Sequence, residues 1–178
     1  MKVKVRQETK ADYDAVFKLT EEAFRSLEIS NHREQFLVQR LRQSDSFIPE
    51  LSLVACLNDG TVVGHILLTK IKIIEDNGLE HNALTLAPVS VLPEFQNQNI
   101  GSQLIVAAQN KALEMGYKAI VLVGHEKYYP RFGYELCSKH EIKLPFEAPA
   151  VNCMVMEIIP NALNEIKGTV QYDPAFFE

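Results

Sequence analysis

Val3 and Val5 alternate with lysine and arginine at the start of the chain, the pattern of a half-buried strand. Thr9 then stands as an N-cap before an apolar series at Tyr13, Val16, Phe17, Leu19, Ala23 and Phe24, whose spacing predicts an amphipathic helix. A second helical pattern runs from about Arg33 to Arg42, with Phe36, Leu37, Val38 and Leu41 apolar, and it stops before Pro49.

The middle of the chain reads differently. Leu51 to Leu57 and Thr61 to Ile74 are apolar, β-branched runs on either side of Asn58-Asp59-Gly60, a hairpin signal. A second turn at Glu75 to Gly78 leads to a strand from about Leu84 to Leu92, so consecutive strands joined by short turns are expected to lie antiparallel. Gly101 to Met115 is helical by the spacing of Leu104, Ile105, Ala108, Leu113 and Met115, and Gly116 ends it. Lys118 to Val123 is a short β-branched run typical of a buried parallel strand. Lys127 to Phe132 fits one or two helical turns, Tyr134 to Cys137 and Asn152 to Ile159 fit closing strands, and Pro160 to Glu178 is weakly patterned. The expected fold class is α+β: a mixed, mostly antiparallel sheet flanked by helices, with one strand–helix–strand crossover, in a single domain over residues 1–178. Repeats, low-complexity segments and linkers are not evident.

Composition narrows the function classes. At 178 residues, 47% apolar and 23% charged, the chain has the mix of an ordinary soluble domain, and no stretch approaches the ~20 apolar residues that cross a bilayer. The first residues are charged and lack the apolar centre of a secretory signal, so the expected address is cytoplasmic. With a net charge of −5 and scattered lysines and arginines there is no basic stripe for nucleic acid. Cys56, Cys137 and Cys153 lie far apart among apolar neighbours, which predicts buried thiols, and the dispersed histidines offer no metal-binding pair.

The run LAPVSVLPEFQNQNIGSQLI passes from a strand through a polar turn into a helix. The turn Gln96, Asn97, Gln98, Asn99, Ile100, Gly101, Ser102 delivers backbone N–H groups at a helix N-terminus, where they lack intrahelical acceptors and the macrodipole is positive. Such a turn suits a pyrophosphate, or it is simply a capped connection. It has neither the lysine of a Walker loop nor the Rossmann glycine spacing.

This run resembles motif A of the GNAT superfamily of N-acetyltransferases, whose core is Gln/Arg-x-x-Gly-x-Gly/Ala, here Gln96-x-x-Asn99-x-Gly101. Asn99 stands where the family has glycine, and asparagine is the residue that most readily shares glycine's positive φ. The resemblance implies acetyl-CoA as cosubstrate. Its pyrophosphate would lie on Gln96, Asn97, Gln98, Asn99, Ile100, Gly101 and Ser102, and its pantetheine arm along Val89, Ser90 and Val91, on an open strand edge. The segment Gly124-His125-Glu126-Lys127-Tyr128-Tyr129-Pro130-Arg131-Phe132-Gly133-Tyr134 is similar to the superfamily's Tyr-x-x-x-Gly-Phe, and its fuller form resembles a bacterial subgroup of predicted acetyltransferases along nearly the whole chain. By that resemblance Tyr129 is the general acid that protonates the leaving thiolate, against the plainer reading of a packed aromatic.

The nucleophile must be a neutral amine, so a base or a water chain must take its proton. Some relatives use a glutamate on the motif A strand, but Leu84 to Leu92 contains no acid, and His125 is the remaining candidate, with a capping role as its alternative. Glu94 and Glu126 are expected in solvent, and Cys137 is expected to be an inert thiol rather than an acyl carrier. The implied activity is direct transfer of acetyl from acetyl-CoA to a primary amine of a small molecule or peptide in a ternary complex. A non-catalytic acyl-CoA sensor and a different acyl-CoA donor remain as alternatives. The acceptor site would be lined by the helix pair around Phe24 to Gln43, and a homodimer is compatible with the resemblance.

Overall fold

The computed structural model describes residues 2–28 and 30–178. After β1 (Lys4–Gln7) the chain makes a short 3-10 turn and enters α1 (Tyr13–Phe24), then α2 (Glu34–Leu41). Thr9 stands at the cap of that turn, where its N–H and hydroxyl both donate to Asp12 at 2.8 Å. The strands β2 (Ser52–Cys56), β3 (Val62–Ile74) and β4 (Glu80–Val91) follow as an antiparallel meander. Next come α3 (Ile100–Glu114) and β5 (Ala119–Val123), which pairs with β4 in parallel and closes the expected crossover. The short strands β6 (Glu135–Leu136) and β7 (Ile142–Lys143), then β8 (Cys153–Glu157) and β9 (Gly168–Gln171), complete a nine-stranded sheet. Among the described residues no helix is long and apolar enough to cross a membrane.

Several elements differ from expectation. β4 begins at Glu80 rather than near Leu84, because its polar start at His81 and Asn82 pairs with Ile73 and Lys72 of the long β3. The closing strand after Tyr134 shrinks to β6, since Cys137–His140 turns as a 3-10 helix. The tail is more ordered than its pattern suggests: β9 pairs with the end of β3 on one side and with β7 on the other, and Val170 and Tyr172 are buried.

The sheet's two faces are buried by different layers. Leu53, Ala55, Ile66, Leu68, Leu84 and Leu86 pack with Ile100, Leu104, Ile105, Ala108 and Ala112 of α3. On the other face Val54, Cys56 and Leu67 meet Val16 of α1 and Val38 and Leu41 of α2. All three cysteines are buried and free.

A polar network is sealed under α1 and α2. Arg42 pairs with Glu8, the Ser52 hydroxyl donates to Glu8 at 2.6 Å, and the ring of His65 lies 3.1 Å from Ser52 through Nε2. Arg42 also stacks at 3.9 Å on Tyr13. Glu8 as a carboxylate accepts from Ser52, so the Ser52 oxygen is left to accept from His65 Nε2–H, which makes His65 the neutral Nε2–H tautomer. Burial, reinforced by the Arg42 charge, depresses its pKa from 6.5 to about 3. Asp12 is likewise held well below the usual carboxylate range, chiefly by hydrogen bonds from Arg6.

Both shifts couple stability to pH with the same sign. Below pH 6.5 the unfolded chain protonates His65 while the folded chain does not, so stability falls from pH 6.5 toward 3 by at most about 1.4 kcal/mol per unit. Asp12 contributes fully above its ordinary 3.8 and loses that contribution only below it. Thermal melts should therefore show a falling midpoint between pH 6.5 and 4 that flattens in His65→Gln. An equal slope in that variant, or a His65 proton resonance that titrates near neutrality, contradicts a neutral buried ring.

Candidate functional site

The site begins with a mismatch in β4. Its register against β3 runs Ile66↔Val89 and then Leu68↔Leu86, so β4 carries an extra residue at Ala87-Pro88, where the peptide is cis. That bulge resets the alternation: Leu84 and Leu86 face the α3 layer before it, and Val89 and Val91 face the same layer after it. Pairing with β5 stops at Leu84↔Ile120 and Thr85↔Val121, while β5 itself continues with β8 to Val123↔Cys153. Residues 86–91 therefore leave one edge of β4 open on the β5 side. Pro88 lacks an N–H and cannot donate to that edge.

At the open end the chain makes its polar turn. Gln96 folds its side-chain amide back onto the Val91 carbonyl at 3.1 Å, and Gln98 does the same to the Glu94 carbonyl at 3.2 Å. Asn97 and Asn99 both take positive φ, 59° and 66°, so asparagine does fill the glycine position with the left-handed backbone that position needs. The first helical bond of α3 runs from Gln103 N–H to Asn99 carbonyl at 3.2 Å. The amides of Ile100, Gly101 and Ser102 have no intrahelical acceptor ahead of them.

A cleft of about 580 Å³ opens over this turn. Val89, Val91, Gln96, Asn97, Asn99, Ile100, Gly101 and Ser102 line it, together with Phe95, Tyr128 and Arg131. Of the residues expected at the site, the side chains of Ser90, Gln98, Tyr129 and His125 are not part of this wall. Ser90 points its hydroxyl to the opposite face, buried and without a hydrogen-bond partner among the described residues, and Gln98 does not reach the cleft wall.

The tyrosine segment covers the other side. Tyr129–Phe132 forms a 3-10 turn with Pro130 near its start, ended by Gly133 at φ 95°. In a 3-10 turn residues three apart eclipse one another, which places Arg131 over Tyr128 at 4.0 Å. Arg131 Nη2 donates to Ser102 Oγ at 3.2 Å, and the Tyr128 hydroxyl sits 3.0 Å from where a Gly101 Cβ would lie. The turn is thus clasped onto the first turn of α3.

Tyr129 packs edge-on to Tyr128 and Tyr134, with ring centroids 5.1 and 5.8 Å apart. The Cδ2–Cε2 edge of its ring lies against Gly124, where any Cβ would come within 2.2 Å of Cε2. Gly124 is held in place by Asn152, through Gly124 N–H to Asn152 carbonyl and Asn152 Nδ2 to Gly124 carbonyl, both at 2.9 Å. Burial, with Tyr128 adding to it, raises the Tyr129 phenol well above its ordinary value.

His125 is exposed, and its Nδ1 accepts the Lys127 N–H at 3.2 Å, leaving Nε2 for any other task. Burial pushes the Cys137 thiol up to about 12, with Cys153 adding to it, so a thiolate is not available there. Glu94 and Glu126 are exposed. Arg131, Tyr128, Gly124 and Phe95 join this region without having been singled out from the sequence. The signal for the first two was the three-residue spacing of Tyr128 and Arg131, which needs the 3-10 geometry to be read.

Comparison with known proteins agrees with this frame. Residues 13–134 match the model of the acetyltransferase (GNAT) family. The uncharacterized N-acetyltransferase YhbS of Escherichia coli (strain K12) is 29% identical over 143 residues, 80% of this chain and 83% of that protein. The uncharacterized N-acetyltransferase YjhQ of the same strain is 39% identical over 108 residues, 60% of this chain and 58% of YjhQ. The crystal structure of E. coli YhbS in complex with CoA superposes with a TM-score of 0.87 at 26% identity, covering 100% of this chain and 93% of that one. A GNAT family acetyltransferase from Brucella melitensis, solved in complex with acetyl-CoA, gives a TM-score of 0.79 at 31% identity over 98% of both chains. With the family model matched across most of its length and the same frame in two solved relatives, the chain belongs to the GNAT family of acetyltransferases.

Proposed function

We propose that this protein transfers the acetyl group of acetyl-CoA to a primary amine of a small molecule or peptide, by direct attack while both substrates are bound. The observation that carries this reading is that the open edge of β4, the N-terminus of α3 and the tyrosine turn converge on one cleft. The diphosphate of the cofactor meets the amides of Ile100, Gly101 and Ser102, and its pantetheine amides pair with the backbone of Val89 to Val91 as an added strand. CoA in the E. coli relative and acetyl-CoA in the Brucella relative support this assignment.

The neutral amine adds to the thioester carbonyl, the C–S bond breaks, and the proton lost by the amine ends on the CoA sulfur. Tyr129, a neutral phenol near pH 7, donates to the sulfur as negative charge develops there. Its proton is replaced from the amine side, where His125 is the candidate carrier through Nε2.

Calorimetry should show acetyl-CoA binding to the wild type and its loss in Gly101→Asp, since a carboxylate there meets both the Tyr128 hydroxyl and the cofactor phosphates. Thiol release in the presence of a panel of amines should fall about 10²- to 10⁴-fold in Tyr129→Phe with binding retained. Gly124→Ala should behave similarly, because the added Cβ displaces the Tyr129 ring rather than the phosphate turn. Binding without thiol release for every amine would instead identify an acyl-CoA sensor, and no binding would dismiss both readings.

A further inference from the structure

The tyrosine turn carries a cation whose position the acid chemistry of Tyr129 does not require. Arg131 donates to Ser102 Oγ in the first turn of α3, lines the cleft, and stacks on Tyr128 at 4.0 Å and Phe132 at 4.9 Å. Among the described residues it has no carboxylate partner, and its guanidinium fork stands where the helix N-terminus already favours negative charge. Stacking fixes the plane of the guanidinium, so its contact with a ligand is directional rather than that of a loose surface charge.

We propose that Arg131 is a positioning residue that couples the diphosphate of the acyl donor to the placement of Tyr129, making the enzyme selective for nucleotide-bearing thioesters over bare pantetheine thioesters. This rests on the cofactor reading above. Arg131 and Tyr129 share one 3-10 turn of four residues, so the turn cannot shift at one residue and stay fixed at the other. Arg131 already holds the turn against α3 through Ser102, with the Tyr129 ring against Gly124, and a phosphate oxygen on the same guanidinium tightens that hold. A donor that ends at pantetheine makes no such contact. It binds more weakly, and it also leaves the phenol less well placed.

The chemical consequence is a choice between acyl sources. CoA thioesters present a diphosphate at the turn, whereas a pantetheine thioester presents none. Selectivity should therefore appear in kcat as well as in KM, because the interaction organises the group that acts in the transition state.

The test is steady-state thiol release with one accepted amine, comparing acetyl-CoA, acetyl-dephospho-CoA and S-acetylpantetheine in the wild type and in Arg131→Ala. Arg131→Ala should lower kcat/KM for acetyl-CoA by about 10- to 100-fold, the range expected for a lost charge-assisted contact, with part of the loss in kcat. The same loss should appear with acetyl-dephospho-CoA, which keeps the diphosphate, while the loss with S-acetylpantetheine, which reflects only the loosened turn, should be at least about fivefold smaller. An equal loss on all three donors would mark Arg131 as merely structural and overturn the proposal. So would a variant within about twofold of wild type on acetyl-CoA, or a loss that vanishes with acetyl-dephospho-CoA, which would place the contact at the 3′-phosphate instead. A wild type that neither binds nor consumes acetyl-CoA fails at the cofactor reading itself and removes this inference with it.

Discussion

Everything at the candidate site depends on β4 parting from β5 after Thr85 while staying bonded to β3 as far as Val91. A parallel pair that ran its full length would seal the backbone of residues 86–91 in the sheet, and no strand-like ligand could then add to it. The extra residue at Ala87-Pro88 opens the pair from within β4, and the antiparallel pairing of β5 with β8 holds it open from the other side. Val89, Val91 and Phe95 give the cleft at this gap apolar side walls. An open edge that is polar along its backbone and apolar along its walls matches a chain of amides and methylenes.

The parts that meet at this gap are held by neighbours rather than by their own preferences. Gly124 makes room for Tyr129 only because Asn152 ties the end of β5 to the start of β8 on both its backbone groups. The 3-10 turn keeps its place because Arg131 and Tyr128 rest on α3 while Gln109 of α3 donates to the Phe132 carbonyl at 3.2 Å. On the far face, the buried Glu8, Arg42 and His65 group links the end of β1, the end of α2 and the middle of β3. Removing one member of such a group leaves an unpaired buried charge or lone pair, so α1 and α2 are locked to the sheet in one arrangement.

Local patterning carried most of the architecture. The Asn58-Asp59-Gly60 turn, the apolar period of α3 and the stop at Gly116, whose φ is 80°, are all decided within a few residues, and each was legible. β7 and β9 were not, because neither has an amphipathic period to display: each is short, and each exists through pairing with a strand distant in sequence. The site divides the same way. The polar turn and Tyr129 stood out by motif. Arg131 and Gly124 became visible only once the 3-10 turn fixed which side chains eclipse one another and which ring needs the space of a missing Cβ. Ser90 shows the opposite limit, since its neighbours line the cleft and strand alternation sends its own side chain behind the sheet.

Asn99 brings these levels together. Asparagine is among the strongest N-cap residues, and at an ordinary cap its side chain would accept from the second or third amide of the helix, consuming a donor that a phosphate would otherwise use. Here it sits at the cap with φ 66° and ψ 15°, and its side chain makes no capping bond. The left-handed backbone swings the carboxamide away from the helix axis, whereas capping requires an extended backbone at that residue. The substitution for glycine thus preserves two things at once: the turn keeps its positive φ, and the amides of Ile100, Gly101 and Ser102 keep their freedom from a side-chain cap. A serine or aspartate at 99 would pull the backbone toward the extended form and turn its oxygen onto those amides. Such a change stabilises the helix end and competes with the anion for the same donors, so at this position the best helix cap and the best phosphate site are different residues.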